Sequence, residues 1–97
     1  MSWASYHIAK LQKGETVQFR PSGNSMRPIV KHRQLVTVEP LSEDVQVGDV
    51  VLCKISGRDY LHLVKGIRRN GKQILIGNNR GRVNGWIRKE AVFGKMQ

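Results

Sequence analysis

Val50-Val51-Leu52-Cys53-Lys54-Ile55-Ser56-Gly57-Arg58-Asp59-Tyr60-Leu61-His62-Leu63-Val64-Lys65-Gly66-Ile67 consists of two apolar runs rich in β-branched residues, separated by turn-forming residues. This pattern predicts a hairpin in which Val50 to Ile55 and Tyr60 to Ile67 are the strands and Ser56 to Asp59 the turn. Asn70-Gly71 predicts a second reversal, because this dipeptide accepts the positive φ angles of tight hairpin turns, and Lys72 to Ile76 then supplies a third strand. A meander of three strands commits the chain to β structure.

The flanking segments extend the same reading. Thr16 to Arg20 alternates, with Val17 and Phe19 on one side, and Gln34 to Glu39 contains the β-branched stretch Val36-Thr37-Val38. Gly77-Asn78-Asn79-Arg80-Gly81 reads as a loop, and Trp86-Ile87 and Ala91-Val92-Phe93 as short closing strands. Only Ala4 to Gln12 suggests a helix, with Ile8 and Leu11 on one face and Lys13-Gly14 as its stop. The expected fold is mostly β with a short N-terminal helix. At 97 residues and 39% hydrophobic content the chain is expected to be a single domain, 1–97, with a modest core.

Composition excludes several functions. Apolar runs such as Val50 to Cys53 fall far short of the roughly 20 residues that span a bilayer, and the N-terminus lacks the pattern of a secretory leader. The expectation is a soluble, cytoplasmic protein. Cys53 is the only cysteine, which excludes an internal disulfide and a multi-cysteine zinc site, and its apolar neighbours give it a packing role. His7, His32 and His62 are too scattered to hold a metal by spacing, so neither metal nor cofactor is expected. Seventeen Lys and Arg against seven Asp and Glu give a net charge of +10, which suits an anionic partner such as nucleic acid, the ribosome or an acidic lipid surface. No aromatic RNA-binding motif or helix-turn-helix pattern accompanies that charge.

Gly23-Asn24-Ser25-Met26-Arg27-Pro28 has the composition of a loop presenting one hydroxyl. Gly23 permits close backbone approach and Pro28 stiffens the exit. The same residues make an ordinary surface turn, so Ser25 gains meaning only from a base that takes its proton. His62 and Lys65 are the two candidates. Three positions apart on a strand they point to opposite faces unless a bulge intervenes, so one of them faces Ser25. An imidazole titrates in the working range without help, whereas Lys65 needs apolar or cationic surroundings to become a base.

Four segments in order, Gly23 to Pro28, Val47-Gly48-Asp49-Val50-Val51, Leu61 to Ile67 and Gly77-Asn78-Asn79, resemble the successive boxes of the signal peptidase and LexA-like repressor superfamily of serine peptidases. The resemblance covers roughly Val17 to Phe93. It implies a small β-fold in which a serine on a turn attacks a peptide carbonyl, helped by a lysine or histidine on a nearby strand. Ser25 matches the nucleophile. His62, followed by Val64 and Ile67, looks like the histidine of the endoplasmic-reticulum and sporulation type; Lys65 before Gly66-Ile67-Arg68 looks like the lysine of bacterial signal peptidases and self-cleaving repressors. Both stand as the base, with His62 preferred. Gly23 and Met26 flank the nucleophile as substrate and oxyanion-binding positions, with the Ser25 N–H as the simplest oxyanion donor. The last box is usually Gly-Asp-Asn, and here position 78 is Asn, so the carboxylate that would orient a histidine is not at its usual place.

Three functions follow from this reading. One is a minimal stand-alone peptidase, phage-repressor-like in its core, acting on a peptide or protein substrate through Ser25 and His62 or Lys65. Another is a catalytically inactive module of the same fold that binds nucleic acid or a protein partner through its basic surface. A third is a structural or regulatory subunit that docks on a larger assembly, for which Trp3, Tyr6 and Trp86 would be interface anchors, although such aromatics are more often core residues in so small a domain and are expected there.

Overall fold

The computed structural model describes residues 2–97, and in them lie one α-helix, α1 (Ser5–Gln12), and seven strands: β1 (Val17–Phe19), β2 (Val36–Pro40), β3 (Val50–Ile55), β4 (Arg58–Arg68), β5 (Gln73–Gly77), β6 (Val83–Arg88) and β7 (Val92–Met96). The fold is mostly β, as expected. All strands join one antiparallel sheet in the order β1-β2-β7-β3-β4-β5-β6. The last strand thus inserts between β2 and β3 and ties the N-terminal pair to the meander.

The central hairpin is tighter and longer than its sequence suggests. Ile55 pairs with Arg58, leaving Ser56 and Gly57 as a two-residue turn with φ of 49° and 80°. Both angles lie in the left-handed region required by the turn type whose twist matches the flanking strands. Asp59 therefore belongs to β4, opposite Lys54. Similarly, Trp86-Ile87 expands to the six residues of β6, because every position from Gln73 to Gly77 finds a partner there.

Side chains alternate across the sheet and fill two apolar clusters. Val50 and Leu52 of β3, Leu61 and Leu63 of β4, and Val36 and Val38 of β2 pack with Ile8 and Leu11 of α1. Val51 and Cys53 of β3, Val64 of β4, and Ile74 and Ile76 of β5 fill the second cluster with Val45 and Val92. Cys53 is fully buried there, and burial, with Asp59 nearby, pushes its thiol up to about 12. It is an inert packing residue at neutral pH. The three aromatics expected in the core are instead exposed: Trp3 by 52%, Tyr6 by 65% and Trp86 by 38%. No described helix is long and apolar enough to cross a membrane.

Three bulges interrupt the ladder, one of them at Phe93, between the Leu52–Gly94 and Cys53–Val92 pairs. Lys65 is the extra residue between the Val64–Ile76 and Gly66–Leu75 pairs, and Asn84 is the extra residue between Ile76–Gly85 and Gly77–Val83. The bulge at Lys65 leaves that residue on the Leu63 side and moves Gly66 and the residues after it to the face opposite the one strict alternation gives, and the bulge at Asn84 turns that residue to the face that Ile76 shares with His62.

Candidate active site

The connection from β1 to β2 carries Ser25. Its neck is closed by the Arg33 N–H donating to Pro21 O at 2.7 Å, and its inner turn by the Val30 N–H donating to Met26 O at 2.8 Å. Met26 and Val30 are each 4% exposed and anchor the loop in the first apolar cluster. Gly23, at φ 104°, occupies backbone space that β-carbon-bearing residues rarely adopt, and its N–H donates to His32 Nδ1 at 2.9 Å. Asn79 fixes the loop from outside, its N–H donating to Ser25 O at 2.9 Å and its side-chain amide to Arg27 O at 2.7 Å.

His62 sits in β4 directly opposite Val51 and is 7% exposed. The neighbouring box explains how the strand is held: the Gly48 N–H donates to Val64 O and the Val64 N–H to Asp49 O, each at 2.9 Å. Across the gap, Ser25 Oγ lies 3.4 Å from His62 Nε2, and His62 Nδ1 lies 2.8 Å from Asn84 Oδ1. A carbonyl oxygen only accepts, so Nδ1 carries the hydrogen and Nε2 presents its lone pair to the serine hydroxyl. Burial of the ring holds its pKa below the ordinary histidine value; the Asn84 hydrogen bond raises it, and the Arg82 and Lys65 cations lower it further. The imidazole is therefore neutral at pH 7, the form a base requires.

Lys65 stands apart from this pair. Its aliphatic stem passes over Gly77, where an added β-carbon would lie 2.8 Å from Lys65 Cδ. Gly77 pairs with Leu63, so Lys65 lies on the Leu63 side of the sheet and His62 on the other. Ser25 and His62 are brought together, whereas Lys65 makes no hydrogen bond to either among the described residues.

Asn84 was not singled out by its sequence context, and only the bulge turns it toward His62. Gly85 after it, at φ 136°, makes that excursion possible and is the one local sign of it in the chain. Asn78, at the position of the family's usual aspartate, points elsewhere: its Oδ1 accepts from the Arg80 and Arg82 N–H groups at 2.8 and 3.0 Å and closes its own loop. Asp59 is also absorbed structurally, its buried carboxylate receiving the Ser2 hydroxyl and lying 3.2 Å from Lys54 Nζ.

Ser25 and His62 open onto a cleft of about 580 Å³. Trp3, Met26, Val30 and Leu61 give it apolar walls, and Arg20 and Arg82 add positive charge. The cleft joins apolar walls to polar groups that converge at one point, the composition of a ligand-binding site.

A family model described as Peptidase S24-like matches residues 3–84, a span that includes Ser25, His62, Lys65 and Asn84. No curated protein matches the chain.

Proposed function

From the premise that the chain belongs to the Peptidase S24-like family, within the LexA and signal-peptidase superfamily, we propose that it hydrolyses peptide bonds with Ser25 as nucleophile and His62 as general base. The observation that carries this reading is the 3.4 Å approach of Ser25 Oγ to His62 Nε2. That separation is looser than a formed hydrogen bond and of the kind that tightens when substrate closes the site.

As Ser25 Oγ attacks the carbonyl carbon, Nε2 takes the hydroxyl proton, and the carbonyl π electrons move to oxygen. In this reading the Ser25 N–H donates to the resulting oxyanion, and Gly23, with open space where a β-carbon would stand, leaves room for the substrate strand beside it. The imidazolium keeps its Nδ1–H on Asn84 Oδ1. Collapse of the tetrahedral species breaks the C–N bond, and the Nε2 proton leaves with the amine. Water then attacks the acyl-serine, giving its proton to Nε2, and release of the acid returns that proton to Ser25. An amide in the third position of a triad has precedent in Cys-His-Asn peptidases.

The test is labelling by a fluorophosphonate together with cleavage of a peptide library. Both signals are expected from the native chain, and Ser25→Ala is expected to lose them. A labelling pattern that ignores Ser25 overturns the assignment. The presence of amides at both 78 and 84 favours, as a second reading, a module that keeps the fold without turnover; native protein that binds a peptide but neither labels nor cleaves supports it.

A further inference from the structure

The distribution of charge is more uneven than the composition suggests. All seven acidic residues lie outside Tyr60 to Arg88, while that segment carries Lys65, Arg68, Arg69, Lys72, Arg80, Arg82 and Arg88. It forms β4 beyond Asp59, together with β5 and β6, at the end of the sheet farthest from β1.

One face of these strands is built around an exposed tryptophan. Gly66 pairs with Leu75 and Leu75 with Trp86; two residues along, Arg68 pairs with Gln73 and Gln73 with Arg88. Paired residues and residues two apart share a face, so these side chains stand together. The ring's neighbours agree with that placement. An added β-carbon on Gly66 would lie 3.4 Å from Trp86 Cη2, so the indole lies over the glycine. The Arg68 guanidinium carbon is 4.0 Å from the indole centroid, and Arg68 Nε donates to Gln73 Oε1 at 2.6 Å. Arg68 and Arg88 are exposed, and the backbone bond from the Lys89 N–H to Lys72 O at 3.1 Å brings two further basic residues to the rim.

We propose that this β4–β5–β6 face binds single-stranded nucleic acid, with the Trp86–Arg68 stack receiving an unpaired base and Arg88 and the rim cations following the phosphates. An aromatic ring capped by a guanidinium offers a flat surface to any base, and a positive sheet face follows the backbone. The bases of a duplex are already paired and stacked and do not reach such a flat face. A second copy of the chain is disfavoured as occupant by like charge, since the Arg68, Trp86 and Arg88 face of the other chain brings the same cations, and the carboxylates of Glu43, Asp44 and Glu90 gather at a separate cleft beside Gly71 and Lys89. The proposal goes beyond the peptidase reading and does not depend on it: the face is formed by residues other than Ser25 and His62.

Anisotropy of labelled oligo-dT and oligo-U of about twelve nucleotides, within the range of sheet-based single-strand binders, tests it on the Ser25→Ala chain. Trp86→Ala is expected to weaken binding by roughly tenfold or more, and Trp86→Phe to stay within about threefold of the parent. Replacing Arg68 and Arg88 with Ala is expected to flatten the log affinity against log salt plot by about 0.7 for each phosphate that is no longer neutralised. The exposed Arg68→Ala variant gives the same readout should Trp86→Ala lose its melting transition. Equal affinity for the matching duplex overturns the proposal, as does unchanged binding by a folded Trp86→Ala protein. So does Trp86-dependent binding to anionic phosphatidylserine vesicles without oligonucleotide binding, or a Trp86-dependent dimer in sedimentation.

Discussion

At His62 the competing influences on the proton are all visible. Ring burial, followed by the Arg82 and Lys65 charges, opposes protonation, and the Asn84 hydrogen bond favours it. The net lowering puts the acid limb of any Ser25-dependent activity below about pH 6.5, with a plateau through neutrality. Asn84→Asp places a carboxylate against Nδ1 and should move that limb to higher pH, whereas Asn84→Leu removes the raising hydrogen bond and should move it lower while reducing kcat. A pH profile of kcat/KM on the three proteins checks the ordering. His62→Ala should cost about 10²- to 10⁴-fold in turnover and Lys65→Ala less than about threefold, because only the imidazole is in reach of the hydroxyl. Equal losses in the two variants would reject the assignment of the base.

Among the elements, the β5–β6 connection bears the tightest constraints. A β-carbon on Gly77 would lie 2.3 Å from Arg82 O, a backbone atom with no freedom to withdraw, so Gly77→Ala should destabilise by about 1–3 kcal/mol or more, read from urea unfolding. Asn79→Ala removes one hydrogen bond to the serine loop, at Arg27 O, and should cost about 1 kcal/mol of stability while lowering kcat out of proportion. This is also where sequence reading reaches its limit. The meander was legible because β-branched runs and the Ser56-Gly57 and Asn70-Gly71 turns act locally, and the segment around Ser25 was legible as a loop from its Gly, Asn and Pro residues. The partner of His62 was not, because a bulge shifts alternation by one residue and leaves no periodic trace. Asp59 is the converse case: it read as part of a turn until Ser56 and Gly57 proved sufficient to reverse the chain.

For the whole molecule, two histidines report on acid stability. His62 is held below its ordinary value chiefly by burial, and so is His7, with Lys10 adding to the effect. The unfolded chain takes up protons at these rings as pH falls through about 6.5, and the folded chain does so only lower down. Stability is therefore expected to be unaffected by them above pH 6.5 and to decline below it, and His62→Gln should lessen the decline in thermal melts between pH 7 and 5. Three exposed aromatics that composition assigned to the core show how little interior so small a chain has to fill. The hydrogen bonds of Asn79 and Asn84 carry a consequence for how this architecture changes over time. The amide that grips the nucleophile's loop stands on the β5–β6 connection and the amide that sets the imidazole's tautomer at the start of β6, so both halves of the pair depend on one short segment, 79–84. Exchange of that segment can silence or retune the hydroxyl while Ser25, His62 and every residue of their own segments stay as they are.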